Sequence, residues 1–260
     1  MLKKRLIPKL IFKTNKIKKK YYPMIVTTKQ YNKIKYVGDP ISQAKIFESQ
    51  LTDELFLVNM DSLDLDENKF LLEYYVEFSS KIFMPLTIGG GVKSIESFRK
   101  LLQSGADKVC INTLAIEKPE IITEASKRFG SQCVVVSVDF KKHGEEYFVF
   151  YKNGKINTKK KLLDWVKTLE QLGAGEIILT DIDRDGMSSG LNIDAANQVT
   201  NCLNIPVIIS GGCGVAEHFV EAFKKSKVEG ISAGNYFSFK DQNILQARSQ
   251  VLNNGICLRK

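Results

Sequence analysis

Histidine is almost absent from this sequence of 260 residues: His143 and His218 are the only two, and they lie far apart. A histidine triad or a His-based metal centre therefore has little to be assembled from. Cysteine is nearly as scarce. Cys110, Cys133, Cys202, Cys213 and Cys257 are scattered, odd in number and without a C-x-x-C pair, which speaks against both a disulfide framework and a structural zinc site. No span approaches the roughly 20 apolar residues that a membrane helix needs, and the basic start Met1 to Arg5 leads into too short an apolar run for a signal peptide. The expectation is a soluble, cytoplasmic protein with no metal, no cofactor and no membrane partner.

Acidic residues are missing from one end. Residues 1–38 hold twelve Lys or Arg and no Asp or Glu, while the rest of the chain has 26 basic against 29 acidic residues, so the formal net charge of +9 is local. Tyr21, Tyr22, Tyr31 and Tyr36 lie among the lysines. Read as a loop, residues 13–35 suit a solvated segment, a lid over an anionic small molecule or a strip for single-stranded nucleic acid. The acidic remainder offers no second basic face to continue a nucleic-acid path, so no nucleic-acid partner is expected.

What is present is a regular alternation of short apolar runs and amphipathic stretches. The strand candidates are Leu6–Ile11, Glu54–Met60, Met84–Ile88, Lys108–Ile111, Cys133–Val138, Glu176–Thr180, Pro206–Ile209 and Gly230–Ala233. Helical patterns such as "SIESFRKLLQSG", "PEIITEASKRFG", "LLDWVKTLEQLG" and "AEHFVEAFKKSK" lie between them, several closed by glycine. Eight buried strands alternating with helices predict an α/β fold, a (β/α)8 TIM barrel. An internal repeat supports this: "MPLTIGGGVKSIESFRKLLQSGADKVCINT" matches "IPVIISGGCGVAEHFVEAFKKSKVEGISAGN" about 121 residues later. The period is too long for a solenoid and fits two tandem half-barrels, roughly 1–125 and 126–260, in a single domain spanning 1–260. At a similar shift the first strand pairs with the fifth, which sets Ile11 opposite Asp139.

In such barrels the loops after the strands build the site. Gly90 and Gly91 end the third strand, Asn112 and Thr113 the fourth, Ser210, Gly211 and Gly212 the seventh, and Gly234 and Asn235 the eighth. Glycine lets backbone N–H groups approach an anion without a Cβ in the way, so each half carries a candidate phosphate cradle. A ligand phosphorylated at both ends would span the mouth. Asp139 then sits where a general acid or base acts, and Asp185 of "DRDG" stands beside the second cradle, where a turn-capping role fits as well as binding.

These stretches, with "KRLIP", "GDP", "DELFLV", "GADKVCINT", "FGSQCVVVSVD", "GAGEIILTDIDRDGMSSG" and "SGGCG" in that order, resemble the cyclase subunit of imidazole glycerol phosphate synthase over nearly the whole chain. The resemblance implies a metal-free, ammonia-dependent cyclase-lyase that takes a bisphosphate and makes an imidazole ring plus a purine precursor. It also implies a glutaminase partner, docked at the far end of the barrel, that feeds ammonia through the core. By position it assigns Gly90, Gly91, Asn112 and Thr113 to one phosphate site, and Asp185, Gly186, Ser210, Gly211, Gly212, Gly234 and Asn235 to the other. Arg5, Glu54, Lys108 and Glu176 match an ammonia gate, and Asp107 a contact to the glutaminase.

Asp139 matches one of the family's two catalytic aspartates, whereas Ile11 stands at the other and Asn59 takes the place of a further Asp. Isoleucine cannot move a proton, so the two-carboxylate scheme cannot run unchanged. The change resembles a divergent branch that pairs with a glutaminase and a sugar amidotransferase to convert acetamido into acetamidino groups on nucleotide sugars for bacterial surface polysaccharide. The alternatives are an authentic histidine-biosynthesis cyclase in which Lys9, Lys13 or Asn59 compensates, and a scaffold that only completes the glutaminase.

Overall fold

The computed structural model describes residues 3–17, 20–61, 65, 68–238 and 243–259. In chain order its strands are β1 (Arg5–Ile17), β2 (Lys20–Lys29), β3 (Asn32–Gly38), β4 (Leu55–Asn59), β5 (Leu86–Gly89), β6 (Lys108–Ile111), β7 (Val134–His143), β8 (Glu146–Tyr151), β9 (Ile156–Lys161), β10 (Glu176–Asp181), β11 (Val207–Ser210) and β12 (Gly230–Ala233). Eight of them close into a barrel in the order β1, β4, β5, β6, β7, β10, β11, β12 and back to β1, every pairing parallel. Helices connect them: α1 (Pro40–Ser49), α2 (Lys69–Ser80), α3 (Ile95–Gln103), α4 (Thr113–Glu117), α5 (Glu120–Phe129), α6 (Leu162–Leu172), α7 (Ile193–Thr200) and α8 (Ala216–Lys225), with α9 (Ile244–Asn253) after the last strand. This is a (β/α)8 barrel.

Local sequence explains the elements. In α6 the buried residues are Leu162, Trp165, Val166 and Leu169, one face of a 3.6-residue period. The helix stops at Gly173, whose φ of 100° suits a residue without a Cβ. Helix α3 begins with a reciprocal cap between Ser94 and Ser97, which satisfies backbone N–H groups that no helical carbonyl reaches.

Two apolar regions result. The large one, between strands and helices, gathers side chains such as Leu6, Leu57, Phe98 and Trp165. The small one fills the barrel interior with Ile7, Phe56, Cys110, Val135, Ile178 and Ile208. Since strand side chains alternate between faces, the inward residues of β1 are Arg5, Ile7, Lys9 and Ile11, stacked from one end of the barrel to the other.

The sequence reading placed a lysine-rich loop at 13–35, and here the structure differs. β1 continues to Ile17 and pairs antiparallel with β2, which in turn pairs with β3. The turn at Gln30 and Tyr31 has φ of 52° and 60°, the left-handed geometry of tight hairpins that Asn-Gly usually marks. With no such dipeptide, the sequence hides the turn. Lys18 and Lys19, part of the nucleic-acid reading, lie outside the described residues. A second hairpin, β7–β8–β9, rises from the matching position on the fifth barrel strand, and its Asn153-Gly154 turn could have been read from sequence. No helix among the described residues is long and apolar enough to cross a membrane.

Phe98 is fully buried and stacks on Phe129 with ring centroids 5.5 Å apart. Phe98→Ala is expected to destabilise the fold by about 3–5 kcal/mol in urea titration, while Phe83→Ala, at a side chain 87% exposed, should stay within about 0.5 kcal/mol of the parent.

Candidate active site

The interior is layered along the barrel axis. At the strand N-terminal end, Arg5 donates to Glu54 at 2.9 Å and pairs with Glu176, and Lys108 reaches Glu54 at 3.0 Å and Glu176 at 2.9 Å. The four charges predicted from sequence thus converge in one alternating ring, with the Thr87 hydroxyl donating to Glu54 at 3.0 Å. Burial works against the Glu54 carboxylate, yet Lys108 and Arg5 outweigh it and hold its pKa below the ordinary value. Asp107 lies next to the ring, exposed, its carboxylate accepting from Leu86 N–H at 2.8 Å.

Above the ring comes the apolar layer. Its Cys110 is no nucleophile: burial, with the nearby Asp139 charge adding to it, pushes the thiol up to about 12. Beyond it, at the strand C-terminal end, opens a cavity of about 830 Å³ floored by Phe56, Cys110 and Ile178. Gly90, Gly91, Asn112, Thr113, Ile11 and Asp139 all face it. Gly90 has φ of 93°, and a Cβ there would lie 2.0 Å from the Asn59 carbonyl oxygen. No other residue fits that turn, which keeps the backbone at the cavity edge bare.

Asp139 is 5% exposed at the rim of β7. Its Oδ1 accepts from the Tyr31 hydroxyl at 2.9 Å and its Oδ2 from Asn112 at 2.8 Å, with Ser137 a longer donor at 3.3 Å. Burial raises its pKa to about 6, against the opposing pull of Tyr31, Lys9, Asn112 and Ser137. Such a group changes charge near neutrality, as an acid/base catalyst must. Ile11, on β1 at the opposite side of the mouth, offers only aliphatic carbon.

The residues of the other predicted cradle do not line this cavity. The tip of the β2–β3 hairpin meets them instead. Thr28 donates its hydroxyl to Asp185 at 2.7 Å, its carbonyl accepts from Asn235 at 3.0 Å, and Gln30 N–H donates to the Asp185 carbonyl at 2.8 Å. Gly186 sits directly under this tip, where a Cβ would come within 2.1 Å of the Thr28 oxygen. Gly211 and Gly212 pack against the β10 side of the mouth, Gly234 follows β12, and Ser210 accepts from the Lys9 ammonium at 3.0 Å. Sequence reasoning missed Tyr31 and Thr28, which no local pattern aims at Asp139 or Asp185, and the lysines at the cavity rim, Lys118, Lys152 and Lys155.

Fold and mouth together define the class: a parallel (β/α)8 barrel with its cavity at the C-terminal ends of the strands, where barrel enzymes keep their chemistry. Comparison with known proteins supplies the family. A family model described as "Histidine biosynthesis protein" matches residues 19–243. Over its full length the chain is 40% identical to a Prochlorococcus marinus (strain MIT 9313) protein provisionally named imidazole glycerol phosphate synthase subunit hisF2, covering 99% of that protein. It is also 39% identical to imidazole glycerol phosphate synthase subunit HisF of Natranaerobius thermophilus, covering all of it, and 38% identical to the HisF subunit of Lactococcus lactis subsp. cremoris (strain SK11), covering 97%. The chain belongs to this family, among the HisF-like cyclase subunits.

The Tyr31 hydroxyl stabilises the charged form of Asp139, so its removal disfavours ionisation. Tyr31→Phe is therefore expected to move the Asp139 midpoint upward from about 6, read by carboxyl ¹³C NMR titration; a midpoint that stays or falls would separate the phenol from the carboxylate.

Proposed function

We propose that this chain is the ammonia-accepting subunit of an imidazole glycerol phosphate synthase-type enzyme, working in the cytoplasm with a glutaminase docked at the strand N-terminal end of the barrel. The observation that carries this reading is axial: the ring of Arg5, Glu54, Lys108 and Glu176, the apolar layer from Ile7 to Ile208, and the cavity with Asp139 lie one above another inside one barrel. Neutral ammonia can cross an apolar layer that is costly for ions. The exposed Phe83 and Leu51, in the loops that lead into β5 and β4, together with Asp107, suit a protein partner at the ring end.

At the mouth, the bare backbone at Gly90 and Gly91, with Asn112 and Thr113, is suited to a phosphate group of the substrate. Asp185, Gly186, Ser210, Gly211, Gly212, Gly234 and Asn235 form the second cradle once Thr28 leaves it. Asp139 takes a proton from the attacking nitrogen. One barrel domain over 1–260, built from half-barrels 1–125 and 126–260, explains why a cradle recurs in each half.

The names of the relatives favour the cyclase-lyase reaction of histidine biosynthesis, in which a bisphosphate and ammonia give an imidazole ring and a purine precursor. Ile11 favours a second reading: the same ammonia delivery supports amidation of an acetamido group on a nucleotide sugar, with a sugar amidotransferase as a further partner.

The test mixes the purified chain with the cyclase's bisphosphate substrate and saturating ammonium at alkaline pH. Turnover is expected, and Asp139→Asn should lower kcat by about 10²–10⁴. A folded protein that turns over nothing until Ile11→Asp is introduced would reject the cyclase reading in favour of the sugar substrate.

A further inference from the structure

Three groups near the lost carboxylate could take over its proton traffic, and the structure separates them. Lys13 turns toward Asp61 at 3.9 Å and is not part of the cavity wall. Asn59 lines the cavity, but its carbonyl oxygen accepts from Asp61 N–H at 2.9 Å, and an amide neither gives nor takes a proton near neutrality. Lys9 differs from both. It lies two residues before Ile11 on the inward face of β1, lines the cavity, and places its ammonium 3.0 Å from Ser210. That bond uses one of three N–H donors, leaving two for a ligand.

The register puts this ammonium level with Asp139. Ser210 pairs with Thr180 across β10 and β11, and Thr180 pairs with Asp139 across β7 and β10. The three positions form one row around the mouth, with neighbours about 4.8 Å apart. Each group that faces Asp139 comes from a separate element: Tyr31 from the hairpin tip, Asn112 from the end of β6, Ser137 from β7 and Lys9 from β1. Lys9 is the one cation among them, and its charge favours the ionised carboxylate.

We propose that Lys9 is a catalytic residue of this site, forming with Asp139 a cation–carboxylate pair that does the work of two carboxylates. The inference rests on the ammonia-dependent reading. Ammonia adds to a substrate carbonyl carbon, forming a C–N bond while the C=O π pair moves to oxygen. Oxygen takes a proton from the Lys9 ammonium, and the new nitrogen gives one to Asp139. The carbinolamine then loses water: the leaving hydroxyl takes the proton back from Asp139, and nitrogen releases a second proton to the Lys9 amine. The sum is C=O plus NH₃ giving C=NH plus H₂O, with both side chains restored. Such a step fits a carbonyl or amide substrate and needs no oxidant or reductant.

Two measurements test it on the intact chain. In carboxyl ¹³C NMR, Lys9→Met should raise the Asp139 midpoint by about one pH unit, while Lys9→Arg, which keeps the charge, should leave it near that of the parent. In ammonium-driven turnover, Lys9→Met should lower kcat by about 10²–10⁴ with KM changed only a few-fold, and Lys9→Arg should not rescue it, because guanidinium does not release a proton. Lys9→Gln, of similar length, repeats both readings if the Met variant folds poorly. An unmoved midpoint, or Lys9→Met turning over like the parent, overturns the proposal. If the parent shows no turnover of the bisphosphate, the cyclase reading fails on its own, and the NMR arm still decides whether Lys9 and Asp139 form a pair.

Discussion

The ring of Arg5, Glu54, Lys108 and Glu176 is the interaction on which the rest of the interior depends. Each member sits at or just before the start of a barrel strand, Arg5, Glu54 and Glu176 buried and Lys108 partly so, and each is paired with two others of opposite charge. Removing one partner would strand a buried charge at a cost of about 3–5 kcal/mol. The ring therefore resists any slip of β1, β4, β6 or β10. Because side chains alternate, a slip of one residue would send the whole inward set outward. With Arg5 fixed, Ile7 must join the apolar layer, and Lys9 and Ile11 must face the cavity.

The same logic makes the mouth an unusual place for a carboxylate. Asp139 is buried, and its pKa rises to about 6 because donors from the hairpin, β6 and β7 do not fully replace water. In an unfolded chain it would ionise near its ordinary value, so the folded protein binds this proton more tightly. The contribution of Asp139 to stability is most favourable in acid and falls as pH rises from about 4 through about 6. A group kept at such a cost is a mark of function more than of folding.

Much of this was legible beforehand. All eight barrel strands lie where the apolar runs placed them, because a strand buried on both faces writes an uninterrupted hydrophobic run. Asp139, Gly90, Gly91, Asn112 and Thr113 meet at one cavity, since strand ends in a closed barrel must converge. Two things were hidden. The hairpin at 13–38 alternates lysines with tyrosines and threonines and turns at Gln30-Tyr31, so it read as a loop. Its contacts with Asp139 and Asp185 span more than a hundred residues, and no local pattern encodes them. The choice among Lys9, Lys13 and Asn59 likewise needed three dimensions: all three are close to Ile11 by sequence or pairing, and only register and rotamer separate them.

The central claim is that ammonia reaches Asp139 along the barrel axis from the ring. The direct measurement supplies the chain and a glutaminase of the proposed partner class with amide-¹⁵N glutamine, phosphorylated substrate and an excess of unlabelled ammonium, and follows the isotope in the product by mass spectrometry. Delivery through the barrel predicts product nitrogen drawn mainly from the glutamine amide despite the excess. Product nitrogen with the isotopic composition of the bulk ammonium would contradict it.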